Sequence, residues 1–521
     1  MIVRLKIKEN EGFFGGSTIH KLCPITDKTD YHADFRRMAR NQTASFFVSN
    51  LGRFIFSPKP CKVDIENGEI ISEGEDITLS EECDNLRDAY RLAQSRYFPC
   101  DKTELREEFF TAPQFNSWIE FSYYPTQEGV LRYAHEIIDN GYEPGIFIID
   151  EGWTQHTDYG HWDFDLSRFP EPKKMTEELH SLGFKVMLWV VPFVSMNGPG
   201  YIRSIHPYIG TDPEMAKNIY KRTQSGDVAA VKWWNGISAI LDMTNKWNEK
   251  FLDDQLRYLI EEYGVDGFKF DGGALHHYND SEVINGDYEK SQTPQQMNRA
   301  WNEFGRRYPF HEYKDTFFGG GRNCIQRLHD RDHRWVNNGI DDIIPCAVTC
   351  GLIGHPFVCP DMVGGGEWRN RFTPGFETDE ELFVRMAQCS ALFPMLQFSW
   401  APWEALSEEN AKLCLEMAKL HTKMSGEILR LVKEAQQTGE PIIRTLEYND
   451  PHKDLWKITD EYMVGEDILV APVITKGMRE RKVTFPSGSW KDEDGNIFDG
   501  DREYTLSAPL EKLLWFRRVK S

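Results

Sequence analysis

The sequence predicts a (β/α)8 TIM barrel preceded by a β-sandwich-like N-terminal domain and followed by a small C-terminal β-sandwich. Three observations lead there. From about residue 111, short apolar runs alternate with helical segments, the signature of βα units and a parallel sheet. Eight such runs can be counted, the number that closes a barrel. Several end on acidic or aromatic residues, and the C-terminal ends of barrel strands are where chemistry is placed.

Length and charge bound the reading further. A chain of 521 residues exceeds one ordinary core, and the expected division is 1–110 (β-rich), 111–425 (barrel) and 426–521 (β-sandwich). The composition is 40% hydrophobic and 27% charged, as in a globular protein. A net charge of −22 argues against nucleic acid or anionic membrane as partners. No stretch approaches the roughly 20 apolar residues of a bilayer span, and the N-terminal run MIVRLKIKENEGFFGG lacks a signal-peptide apolar core. The ten cysteines form no CxxC pair; Cys346 and Cys350, at i,i+4 spacing, read as packing. Reduced thiols and a cytoplasmic location are the expectation, and a homo-oligomer is left open.

Residues 1–110 show β-like runs (IVRLKIK, ASFFVSN, RFIFS) and a helix over 80–97. The GFFGG stretch at 12–16 reads as a loop, either a hairpin turn or one able to reach a pocket. The eight barrel strands fall in QFNSWIEF, GIFIID, FKVMLWVVP, VDGFKFDGG, DTFFGGGRN, IQRLHDRD, HPFVCPDMVGG and ALFPMLQFSW. Helices are expected at 127–140, 173–182, 248–262, 378–386 and 408–431. An excursion carrying WWNG and LDMTN interrupts the alternation before residue 248. Beyond it the tail returns to β character in EYMVGEDILVAPVI and RKVTFPSGSW.

The stretch Val265–Gly273 carries the sharpest signal. It reads as a buried strand ending on Asp271, with Lys269 two residues earlier on the same face. That pairs an anionic nucleophile with a cationic donor; a purely structural ion pair is the competing reading. A second carboxylate, Asp332 in HDRDHRW, completes the pair needed to cleave a glycosidic bond, one attacking and one protonating the leaving oxygen. Asp330 could raise the proton affinity of Asp332, or pair with Arg331 or Arg334. Asp150 and Asp361 end other strands and could bind sugar hydroxyls, and Gln397 and Ser399 could complete a polar ring. Trp118, Trp153, Trp234, Trp400 and Trp403 could wall a pyranose, with core packing the competing reading for each. His276-His277 lacks the partners of a metal site and reads as solvated, so neither metal nor cofactor is expected.

These motifs resemble glycoside hydrolase family 31, the retaining α-glycosidases, and within it a branch that includes α-galactosidases. The likeness rests on Trp234, on Asp242-Met243-Thr244-Asn245, on FKFDGG around Asp271, on HDRDHRW around Asp332, on PDMVGG after Asp361 and on LQFSWAPW. The resemblance implies Asp271 as nucleophile and Asp332 as acid/base. It implies Asp150, Glu151, Trp153, Trp118, Trp234, Asp242, Lys269, Arg322, Asp361, Gln397, Ser399 and Trp400 as the substrate-binding set. The sequence departs from the α-glucosidase pattern at the nucleophile, where Lys269 replaces a Trp and Gly272-Gly273 replace Met-Asn. The K-x-D strand and the Asp150–Trp153 strand end are instead similar to α-galactosidase families 27 and 36. That implies a retaining exo-acting α-galactosidase on a glycoside or oligosaccharide. The alternatives are the same chemistry on an α-glucoside, α-xyloside, α-N-acetylgalactosaminide or sulfoquinovoside, or a barrel that binds sugar without cleaving it.

Overall fold

The computed structural model describes residues 1–19, 21–37, 40–155, 158–205, 218–223, 225–278 and 293–520. They divide into two compact units, one of residues 37–40 and 115–317, the other of 1–36, 41–114 and 318–521.

The first unit is built on parallel strands. Phe310–Tyr313, Gly267–Phe270, Lys185–Val190 and Ile146–Ile149 pair in that order, and Ile146–Ile149 pairs onward with Phe115 and Asn116. Every residue of strands 146–149 and 267–270 is buried, Lys269 included, so both faces are covered rather than one. Phe270 packs on Trp301 and Tyr313 at ring distances of 5.1 and 5.0 Å. By alternation, Gly267, Lys269 and Asp271 share the opposite face.

Three helices of this unit start where a capping side chain stops the preceding loop. Thr126 accepts from Gly129 N ahead of helix Gln127–Asp139, whose buried face is Val130, Tyr133, Ala134 and Ile137. Asn245 caps Lys246–Tyr263, which ends on left-handed Gly264. Thr293 and Gln296 form a capping box before Pro294–Gly305. The WWNG–LDMTN excursion is a three-stranded antiparallel sheet, Phe193–Ser195, Gly236–Ile240 and Ala230–Trp233.

The second unit contains two four-stranded antiparallel sheets from residues 2–80. It also holds two parallel strand pairs, Gln326–Arg327 with Val358–Cys359 and Met362–Val363 with Gln397–Phe398. The 31-residue helix Glu408–Thr438 leads to a six-stranded sheet and a separate two-stranded antiparallel sheet, 480–485 with 502–507. Their core gathers Phe485, Trp490 and Phe516, none more than 1% exposed.

Several expected elements differ. DTFFGGGRN is not a strand; the strand lies just before it, at Phe310–Tyr313. Its polar members His311 and Glu312 are buried, which hid it from a reading by hydrophobicity. QFNSWIEF is a strand only over Gln114–Asn116, because the Asn116 carboxamide accepts from Trp118 N and turns the chain into a short helix. The expected helix over 80–97 begins at Leu86, where Asn85 caps it. The GFFGG segment is no loop: Phe13–Ser17 is a wholly buried strand paired with Thr43–Ser49. Gly15 is required there, since a Cβ would lie 2.0 Å from the Phe46 carbonyl oxygen.

Gly267 faces a similar constraint on the strand that presents Asp271: a Cβ would lie 2.0 Å from the Phe310 carbonyl oxygen. Gly267→Ala is therefore expected to spread the two strands and cost about 1–3 kcal/mol. Thermal unfolding of the variant beside wild type measures this, and an unchanged Tm would contradict the close approach.

Candidate active site

In the first unit the C-terminal strand ends converge on a cluster of acids and donors. Asp271 follows Phe270 directly, and its backbone N–H is held by the Val190 carbonyl at 2.9 Å. Its carboxylate accepts from the Trp189 indole N–H at 3.0 Å and from Gly272 N at 2.7 Å. Gly272 and Gly273 adopt φ of +62° and +73°, which turns the chain away directly after the carboxylate. Two donors thus fix the orientation of a carboxylate that is 7% exposed.

Lys269 does not turn toward Asp271 for its salt bridge. Its Nζ lies 2.5 Å from Asp150 Oδ2, both side chains being 3% exposed. Asp150 is fixed in turn by Ser117 Oγ, which accepts from its backbone N–H at 2.8 Å. The lysine and the aspartate thus form one buried pair reaching across two strand intervals.

Glu151 has a different setting. It is 2% exposed, and its Oε2 accepts from the Trp234 indole N–H at 2.9 Å while Oε1 accepts from the Asn235 amide. Burial pushes its carboxyl up to about 8, with Asp150 and Asp271 adding to the rise and the Trp234 hydrogen bond opposing it. Trp234 itself is 49% exposed and leans on Trp233, ring centroids 4.8 Å apart.

Three other expected residues of this unit take structural places. Trp153 is fully buried, stacked on Trp162 and donating to the Trp189 carbonyl at 2.9 Å, so it is core rather than a sugar wall. Asp242 accepts from the Thr244 N–H and hydroxyl at 3.1 and 2.6 Å, closing the turn after the antiparallel sheet. Trp118 is half-buried and packs edge-on against Tyr123 at 5.2 Å. The histidine pair is not solvated: His277 is 4% exposed, and burial lowers His276 to about 2 and His277 to about 3, leaving both neutral.

The second unit carries its own acidic cluster. Asp332 is partly exposed, with the Arg334 guanidinium 3.7 Å from its Oδ2. It opens onto a cavity of about 580 Å³ shared with Asn338, Glu367, Arg369 and Phe376. Asp330 pairs with neither Arg331 nor Arg334 but with Arg327, at 2.7 Å. Arg327 also bonds Asp361 at 2.6 Å, both 1% exposed, and Asp361 further accepts from Arg331 N and Gly366 N at 2.7 and 3.0 Å. Asp361 holds this geometry at φ +100°, outside the ordinary range for a residue with a Cβ.

Gln397 donates to Gln114 at 2.9 Å, a pairing of two wholly buried amides, and Ser399 is equally buried. Trp400 has the Arg371 guanidinium 5.1 Å over its ring and His333 at 6.2 Å. His333 bridges the Gly364 carbonyl and Asp379 N, which fixes a neutral ring with Nδ1 as donor and Nε2 as acceptor.

Arg322 is displaced from the expected site. It precedes strand Gln326–Arg327, and its neighbour Gly321 bonds Gly354, which itself precedes strand Val358–Cys359. Both positions belong to the N-terminal ends of parallel strands, the end opposite Asp330 and Asp361. The expectation rested on the family resemblance, which implied Arg322 as a sugar contact. The arginine at the strand's C-terminal end is Arg327. Sequence reading also passed over Trp189, Asn235 and His333. Trp189 carried a usable signal, since it sits on an apolar strand near its C-terminal end, but its register opposite Lys269 is a property of the folded sheet.

Among the described residues no group of three or more His, Cys, Asp or Glu could hold a metal ion. No helix among them is long and apolar enough to cross a membrane.

A buried acid after one parallel strand, a second acid flanked by a further acid–arginine network, and a following β domain define a class. The chain belongs to glycosyl hydrolase family 31: residues 113–420 match the family's TIM-barrel domain and residues 439–520 its C-terminal domain. The chain is 30% identical over 426 residues to the myogenesis-regulating glycosidase of Mus musculus, covering 80% of this chain and 57% of that one. It is 25% identical to alpha-glucosidase 2 of Bacillus thermoamyloliquefaciens, covering 75% of this chain and 50% of that one. The chain thus spans about half the length of these curated relatives. The cycloalternan-forming enzyme from Listeria monocytogenes shares the fold, with a TM-score of 0.82 at 16% identity over 100% of this chain and 53% of that one.

Two outcomes follow from the networks. Arg327→Met should leave Asp361 and Asp330 without their shared cation and cost about 3–5 kcal/mol, read by urea unfolding. Glu151 is bound to a proton in the folded protein up to about pH 8 and releases it near 4.5 when unfolded. Its stabilising contribution is therefore complete below about pH 4.5 and lost as pH rises through about 8. Between those limits the wild-type Tm should fall relative to that of Glu151→Gln, and parallel Tm–pH curves would refute it.

Proposed function

We propose that the protein is a retaining exo-acting α-glycoside hydrolase, with Asp271 as nucleophile and Asp332 as acid/base. Asp271 attacks the anomeric carbon while Asp332 gives its proton to the departing oxygen. Asp332 then takes a proton from water as that water opens the glycosyl–enzyme ester. The observation that carries the reading is the Asp271 carboxylate at a buried strand end, oriented by an indole and a backbone N–H. A partly exposed Asp332 beside an open cavity suits a group that meets the leaving group and solvent.

Within that class we infer an α-galactoside as the preferred substrate. The support is the Lys269–Asp150 pair on the strand ends beside the nucleophile, where the α-glucosidase pattern has a Trp in place of Lys269. A charged donor and acceptor discriminate the position of a hydroxyl better than an indole face does. The same machinery with an α-glucoside preference is the second reading, supported by the likeness to alpha-glucosidase 2.

Rates on para-nitrophenyl α-galactoside, α-glucoside, α-xyloside and α-N-acetylgalactosaminide test both. The galactoside should be turned over fastest, with its α-anomer formed first by NMR. Asp271→Ala should lower kcat by about 10³-fold or more. Fastest turnover of another sugar, abolished in the same variant, would keep the mechanism and reject the galactoside. Binding of galactose with no turnover of any activated glycoside would favour a sugar-binding barrel.

A further inference from the structure

We propose that Glu151 is a positioning residue that clips the Trp233–Gly236 hairpin tip to the barrel and sets the angle of the Trp234 indole, rather than a group that touches sugar. The inference deepens the glycosidase reading and rests on it for the role of Trp234 as a pyranose wall.

The geometry is specific. The tip joins strands Ala230–Trp233 and Gly236–Ile240, and Gly236 turns it with a φ of +93°. At Trp234 and Asn235 the two adjacent side chains both donate to one carboxyl group, the indole N–H to Oε2 at 2.9 Å and the carboxamide to Oε1. Glu151 is 2% exposed and bonds both the hairpin and Tyr159, so it presents almost no surface to a ligand. Trp234, by contrast, is 49% exposed. A half-exposed indole held at its nitrogen, with Trp233 at 4.8 Å and His277 at 6.2 Å, can offer a face at a fixed angle.

Glu151 is itself well anchored for this task. Its backbone N–H donates to Asp150 Oδ1 at 2.8 Å, and Asp150 is the partner of Lys269. Gly152 follows with a φ of +106°, where a Cβ would lie 2.5 Å from the Tyr123 carbonyl oxygen, so the strand end cannot readily be re-routed. The hairpin's indole is thereby referenced to the same strand end that carries the Asp150–Lys269 pair. A sugar held by that pair would meet Trp234 at a defined distance.

The test combines a spectroscopic readout with a double-mutant cycle. The protein is labelled with 5-fluorotryptophan, and the Trp234 ¹⁹F resonance is assigned by its loss in Trp234→Phe. Glu151→Gln keeps the shape but only one acceptor, and Asn235→Ala removes the second arm at a half-buried position. Both should shift or broaden the Trp234 resonance while leaving most other fluorotryptophan lines in place. On the preferred glycoside, Glu151→Gln and Trp234→Phe should each raise KM by about tenfold with a smaller change in kcat, and the double variant should match the worse single. A Trp234 resonance untouched by Glu151→Gln would overturn the proposal, as would additive effects on KM. If no glycoside is turned over at all, the ¹⁹F line still decides whether the clip exists. That separates a failure of this inference from a failure of the glycosidase reading.

Discussion

A carboxylate buried at the mouth of a parallel sheet costs several kcal/mol unless donors meet it, and this chain places acid groups at such points repeatedly. Each is met by a different solution. Asp271 receives one indole N–H and one backbone N–H. Asp150 receives a lysine, and Asp361 an arginine with two backbone N–H groups. Glu151 receives an indole and a carboxamide. The surrounding architecture of apolar strands, aromatic layers and glycine turns keeps water out and holds these donors in place.

The choice of donor separates the roles. A carboxylate paired with a buried guanidinium is locked, since withdrawing either partner strands a charge. Asp361 is of that kind and also spends a strained backbone on the arrangement. Asp271 accepts from an indole N–H and a backbone N–H, neutral donors that orient the carboxylate. Under the proposed double displacement that difference matters, because the nucleophile must give up its charge as the glycosyl bond forms. Asp332, exposed and near Arg334, has access to solvent for the proton exchange its proposed role requires.

Much of this was legible from one dimension. Continuous apolar runs ending in Asp150 and Asp271 announced buried parallel strands with acids at their ends. The helices expected at 127–140 and 248–262 are present as Gln127–Asp139 and Lys246–Tyr263, whereas Pro294–Gly305, capped by Thr293, was not anticipated. The strand Phe310–Tyr313 escaped because His311 and Glu312 are polar yet buried, and hydrophobicity cannot reveal burial that hydrogen bonds make tolerable. The loop expected at 12–16 failed for the converse reason. Glycine suggests freedom in a sequence, but Gly15 is a strand residue where a neighbouring backbone leaves no room for a Cβ.

Local pattern thus determined many of the strands and helices, and that Lys269 and Asp271 share a face, because those properties follow from backbone periodicity. Partnership was decided elsewhere. Lys269 joins Asp150 across 119 residues, Trp189 reaches Asp271 across 82, and Arg327 rather than Arg322 stands beside Asp361. Strand order and register set those distances, and neither is encoded in any local run: a shift of one strand position would turn every one of these side chains to the opposite face.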